Sequence, residues 1–271
     1  MAQKLFSEKR GLIAEKGEPE ITIRDDAPES VRAAILSIAH GQLGLSPTTL
    51  RHQLCTVLST LPDRDNWSEY PNIWDECQEL MEEAPWYNVY DFIEQVYADL
   101  IQHDPGKAAH WEARINRCFV EKGVGWRLVR GGLESRGPEG FRASVDKSRE
   151  TLKEVGLSTA HNEIDEAIKD LSRRPEPDLT GAIHHAMAAL ECTARQCVEK
   201  PKATLGEILK KYPGLVPKPI DEALSCTWGY ASEMARHVRE GRRPEHAETE
   251  LVVSMAASCC IYLAAKLSKK E

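Results

Sequence analysis

Apolar residues recur every three or four positions along most of the chain, the spacing that lines side chains up on one face of an α-helix. Val31, Ile35, Ile38 and Ala39 form the first such stripe. It follows Asp26 and Pro28, where Asp caps and Pro suits the first turn. Ser46-Pro47 repeats that start signal; Leu50, Leu54, Val57, Leu58 and Leu61 follow at helical spacing, and Pro62 ends the run. Ile73, Cys77, Leu80 and Met81 predict another helix. Trp86 opens one with Val89, Ile93, Val96 and Leu100 on its buried side. Residues 110–121 and 141–155 also read as helices. Two stretches break the pattern. Ile21 and Ile23 alternate with Thr22 and Arg24, a short extended piece, and Trp126 to Val129, Gly131-Gly132 and Leu133 predict a small β-hairpin with a Gly-Gly turn.

Gly156 to Thr159 is short, polar and marked by glycine, and it divides the chain into domains at 1–155 and 160–271. Beyond it the pattern is helical to the end. Ile164, Ala167, Ile168 and Leu171 form one helix, and Arg173 to Pro177 is a charged, proline-bounded link. Asp178 caps the next helix, along which Leu179, Ile183, Met187, Leu190, Ala194 and Cys197 repeat. Thr204 and Glu207 form a capping box. Pro244-Glu245 opens a long helix that buries Leu251, Val252, Met255, Cys259, Tyr262 and Leu263. The fold class is mainly α: a helical N-terminal domain with a small hairpin, then a helical bundle.

A chain of 271 residues, 41% hydrophobic and 29% charged, has the length of two domains and the composition of a soluble globular protein. Its net charge of −8 is uneven. Residues 63–99 hold eleven acidic side chains against Arg64 alone, which leaves the remainder slightly positive, so the acidic total does not exclude a nucleic-acid partner. Eight cysteines without a CxxC pair fit a reduced, cytoplasmic compartment and argue against zinc. The N-terminus lacks the apolar core of a signal peptide. The run from Leu251 to Ala265 is too short to span a bilayer and reads as a core helix, so no membrane is expected. There is no P-loop, dinucleotide fingerprint, nucleophile elbow or HExxH, and His184 and His185, adjacent on a helix, point apart; neither cofactor nor metal is expected.

The ordered set of Leu5-Phe6-Ser7-Glu8 with Gly11, the helix Trp86 to Glu94, Asn116, and Gly125 to Val129 resembles an N-terminal domain of AbiJ-type abortive-infection proteins. Ala182-Ile183 through Ala189-Leu190-Glu191, Ala203 to Glu207, Gly229-Tyr230, Arg236-His237 and the last helix through Tyr262-Leu263 resemble the helical C-terminal domain that accompanies it. That domain is grouped with HEPN domains, many of them ribonuclease toxins of phage defence. The resemblance implies a sensing or regulatory N-terminal domain, RNA as substrate, a homodimer through the C-terminal domain, and a partner or antitoxin protein. The HEPN signature is Arg, then Asn, Asp or His, then a nearby His. Here Arg236-His237 has the opening, but His246 lies nine residues further on; Arg239 has six residues before His246 but is followed by Glu240.

Cleaving RNA without metal needs a base for the 2′-hydroxyl, an acid for the leaving oxygen and a cation for the phosphorane. His246, in the first turn of the last helix, is the candidate base, and Arg236 or Arg239 the phosphate clamp. His237 is the second proton-transfer group, and Glu191 is placed to orient an Arg or His. The same residues also read as a solvated basic loop, a tolerated first-turn histidine and an ordinary helix-face ion pair. A catalytically inactive module that binds RNA, a nucleotide or a partner protein is therefore the alternative to an endoribonuclease.

Overall fold

A computed structural model describes residues 19–237 and 243–268. The described residues are mainly α, as the periodicity predicts, with one two-stranded antiparallel hairpin. They fall into two compact units, one ending at Arg136 and the other beginning at Gly137.

The first unit contains α1 (Glu29–Ser37), α2 (Pro47–Leu58), α3 (Trp74–Glu83), α4 (Trp86–His103), α5 (Pro105–Glu121) and the strands β1 (Trp126–Val129) and β2 (Gly132–Ser135). Its core joins Val31 and Ile35 of α1 to Leu50 and Leu54 of α2, Cys77 and Met81 of α3, and Val89, Ile93 and Val96 of α4. Ser46 caps α2 by accepting from the Thr49 N–H at 3.1 Å. At α1 the cap position belongs to Pro28; the Asp26 carboxylate instead accepts from the neighbouring Ala27 N–H. Helix α2 stops at Leu58, before the proline. Ser59 turns left-handed, the Thr60 N–H reaches back to the Cys55 carbonyl, and Leu61 is left 81% exposed rather than on the buried stripe. Arg32 donates to the carbonyls of Met81, Glu82 and Ala84, closing the orphan end of α3.

A two-stranded hairpin is marginal unless its face and edges find partners. Here Leu128 is buried, and the Asn116 side chain takes both backbone groups of Leu128. On the other strand the Glu94 carboxylate accepts from the Leu133 N–H at 2.7 Å. The turn is made by Arg130 and Gly131, both with positive φ, while Gly132 is already paired with Val129 in β2. Gly131 has no substitute, because a Cβ there would lie 2.6 Å from the Tyr97 ring. The extended piece expected around Ile23 is a single parallel bridge to Val124.

The second unit contains α6 (Glu139–Glu154), α7 (Ser158–Leu171), α8 (Leu179–Val198), α9 (Leu205–Lys211), α10 (Ile220–His237) and α11 (His246–Leu267). Helices α6, α7, α8 and α11 close into a ring of packed pairs, and α9 and α10 lie against α8. The unit starts earlier than the Gly156–Thr159 break. Phe141, Val145 and Leu152 of α6 are buried in its core with Ile164, Ile183 and Val253. Gly156, with φ of 73°, only turns the end of α6 into α7.

Helix α11 is long and apolar enough to cross a membrane by length and composition. In this fold it packs on α8 and α6. Its buried side is Val252, Val253, Ala256, Ala257, Cys260, Leu263 and Ala264. Leu251 and Tyr262, expected inside, are 61% and 40% exposed. A helix apolar all round carries little phase information, and small residues let it approach α8 closely. Burial pushes the thiols of Cys77 and Cys260 up to about 12, so both remain neutral and behave as small apolar core groups.

Candidate functional site

The last helix begins at His246, with Glu245 as its cap. Glu245 and Glu248 form a reciprocal capping box: each side chain accepts from the other's backbone N–H, that of Glu245 reaching Glu248 at 2.9 Å. The Tyr230 hydroxyl, in the second half of α10, donates to the same Glu248 carboxylate at 3.0 Å, tying that helix to the start of α11. Thr249, buried one turn in, donates back to the Glu245 carbonyl.

His246 is half-buried, and one turn further Glu250 places a carboxylate oxygen 3.3 Å from its Nδ1. The contact has the distance of an ion pair without hydrogen-bond geometry at Nδ1, so Glu250 stands beside the imidazole and would favour its charged form. Two of the four amino-terminal N–H groups are taken by the Glu248 and Glu245 side chains, and those carboxylates bring negative charge to the helix end. Arg239 and the side chains of Arg236 and His237 lie outside the described residues. Arg243 is described: it is exposed, and its guanidinium lies 3.7 Å from the Glu176 carboxylate.

Glu191, on α8, holds an arginine of its own helix. It pairs with Arg195 one turn along, and its other oxygen accepts from the Leu205 N–H at 2.8 Å at the start of α9. Arg195 in turn donates to the Ala203 carbonyl at 2.7 Å. The pair therefore fixes the loop between α8 and α9. Glu250 and Glu248 carry no motif in the sequence, and Tyr230 stands there only within the Gly229-Tyr230 resemblance. Spacing could have signalled Glu250, four residues from His246 on one helix; Tyr230 could not be assigned without knowing how α10 meets α11.

A second polar cluster ties α7 to α8. His185 meets the Glu163 carboxylate at 2.7 Å through Nδ1 and faces Asp170 at 3.6 Å through Nε2. Asp170 is buried and also pairs with Arg173 at 2.8 Å. With both ring nitrogens against carboxylates, His185 is a cross-link rather than a metal ligand. Among the described residues, no three His, Cys, Asp or Glu side chains are gathered as a metal site.

These features define a two-unit, mainly α protein with a clamped hairpin in its first half and a helical module in its second. The family model AbiJ N-terminal domain 4 matches residues 4–151, more than half of the chain, and the chain belongs to the AbiJ-type abortive-infection proteins. The match includes Trp86 to Glu94, Asn116 and Gly125 to Val129, the stretches that build and clamp the hairpin. No curated protein and no solved structure matches the chain.

Proposed function

We propose that this abortive-infection protein acts against phage as a cytoplasmic, metal-independent endoribonuclease, with a HEPN-like second unit carrying the chemistry and the first unit sensing or regulating. The observation that supports this reading best is His246. It opens α11 directly after the arginine-rich stretch and has the Glu250 carboxylate 3.3 Å from Nδ1.

In the proposed reaction, His246 takes the proton of an RNA 2′-hydroxyl. The 2′-oxygen attacks the adjacent phosphorus, the bond to the 5′-oxygen breaks, and the products are a 2′,3′-cyclic phosphate and a 5′-hydroxyl end. His237 returns a proton to the leaving oxygen. Arg236 or Arg239 offsets the charge on the phosphorane. Glu191 acts at a distance, by holding Arg195 and the start of α9. A homodimer through the second unit would pair two such sites, and the outward Leu251 and Tyr262 of α11 supply apolar surface for it.

The second reading, a module that binds RNA, a nucleotide or a partner protein without cutting, draws support from the three glutamates, Glu245, Glu248 and Glu250, gathered around His246. Total RNA incubated in EDTA with wild type, His246→Ala, Arg236→Ala and Arg239→Ala separates the two. Cleavage by wild type that is lost in His246→Ala and in one arginine variant supports the enzyme. Intact RNA at every protein concentration, with binding retained, supports the module.

A further inference from the structure

The link between α8 and α9 borders an open surface pocket of about 430 Å³ lined by Lys200, Pro201, Lys202, Ala203, Glu207, Lys211 and Tyr212. Its walls are fixed. Glu199 ends α8 in the left-handed region, and the Lys200 N–H closes on the Arg195 carbonyl at 3.1 Å. The Ala203 carbonyl is held by Arg195, and the start of α9 by Glu191. On the far side, the Tyr212 N–H bonds the Ile208 carbonyl, and the half-buried Tyr212 ring packs on the apolar core of the unit.

The charges lining this pocket are not balanced. Three exposed lysines and one glutamate line it, and the glutamate carboxylate is occupied: Glu207 accepts from the Thr204 N–H at 3.1 Å in the α9 capping box. Among the described residues, none of Lys200, Lys202 and Lys211 makes a side-chain ion pair or hydrogen bond. The volume is in the range of small-ligand sites and far exceeds a bare phosphate. Apolar lining from Pro201, Ala203 and Tyr212 offers a surface for a flat ring, and aromatic rings stack on nucleobases.

We propose that this pocket binds a nucleoside phosphate, its phosphates held by Lys200, Lys202 and Lys211 and its base against Tyr212. The group comes either from a free nucleotide or from a nucleotide of an RNA strand. The site is separate from His246 and stands whether or not His246 cuts RNA.

The test is calorimetric titration of the full chain with ADP, inorganic pyrophosphate and a six-residue oligouridylate. Saturable binding of ADP or of the oligomer supports the site and identifies its source. The Lys202→Ala/Lys211→Ala double variant should bind at least tenfold more weakly, while Lys210→Ala, which removes the same charge outside the lining, should bind as wild type. Tyr212→Leu should weaken ADP and leave pyrophosphate unchanged. Glutamine at 202 and 211 repeats the measurement if the alanine pair does not fold, judged by circular dichroism. No saturable binding of any probe at millimolar concentration, or equal losses in Lys210→Ala and the double variant, would overturn the proposal.

Discussion

Asn116 occupies the outer edge of β1 through a single partner: its Oδ1 accepts from the Leu128 N–H at 2.7 Å, and its Nδ2 donates to the Leu128 carbonyl at 2.8 Å. One amide thus supplies what a third strand would. Replacing Asn116 with Leu leaves a donor and an acceptor without partners beside a buried residue, at a cost of about 1–3 kcal/mol each. Urea denaturation should show a lower midpoint for Asn116→Leu, with Asn116→Asp, which keeps the acceptor, falling between it and wild type. A midpoint equal to wild type would show that the hairpin does not depend on this clamp.

Glu76 organises the loop between α2 and α3. Its carboxylate accepts from the Asp63 N–H at 2.8 Å, from Asn66 at 3.1 Å and from Arg51 at 3.0 Å. Burial pushes its carboxyl up, but the bonds from Asp63, Asn66 and Arg51 outweigh that and hold it below the ordinary glutamate range. A depressed carboxylate contributes stability that is present above the unfolded-state value and lost as pH falls through the folded one. Arg51→Ala should cost about 3 kcal/mol at neutral pH, as expected when one partner of a buried pair is removed. Glu76→Gln should remove part of the acid-induced loss seen in a pH series of thermal melts. An unchanged acid limb would contradict this assignment.

Asp170 carries the opposite sign. Burial raises its carboxyl above the ordinary range, against the pull of Arg173. Its contribution is therefore fully present below the unfolded-state value and declines as pH rises through the folded one. Asp170→Asn should flatten that part of the stability profile, read by thermal melts between acid and neutral pH.

Gly181 is what lets α8 approach this carboxylate: a Cβ there would sit 2.4 Å from Asp170 Oδ2 and 2.7 Å from Asp178 Oδ2. Gly181→Ala should destabilise the protein by about 1–3 kcal/mol, the usual range for overpacking, despite the better helix propensity of alanine. A stabilised Gly181→Ala would show that α7 and α8 have room to part.

The helices were legible because local chemistry and burial agree in them. Ser46 and the Thr204–Glu207 box cap where their residue types say they should, and Val89, Ile93 and Val96 point into one core. Legibility failed where a residue acts through distant chain. Leu61 keeps helical spacing, yet the left-handed Ser59 takes it out of the helix first. Gly156 looks like a domain break, but the same glycine serves as a helix end, and only the packing of Phe141 and Val145 shows to which unit α6 belongs. Asn116 and Glu94 satisfy backbone of the hairpin, a pairing no periodicity encodes. At the candidate site, His246 and Glu191 are visible as residue types, whereas the groups beside them, Glu250 for one and Leu205 with Arg195 for the other, emerge from the fold.

The proposed chemistry depends on a 2′-hydroxyl activated by His246. The most direct measurement is cleavage, in EDTA, of an oligoribonucleotide that wild type cuts, compared with the same oligomer carrying 2′-deoxyribose at the cut position. Wild type should leave a 2′,3′-cyclic phosphate on the first and leave the second intact, and His246→Ala should cut neither. Equal cutting of both oligomers, or wild-type rates from His246→Ala, would contradict the assignment.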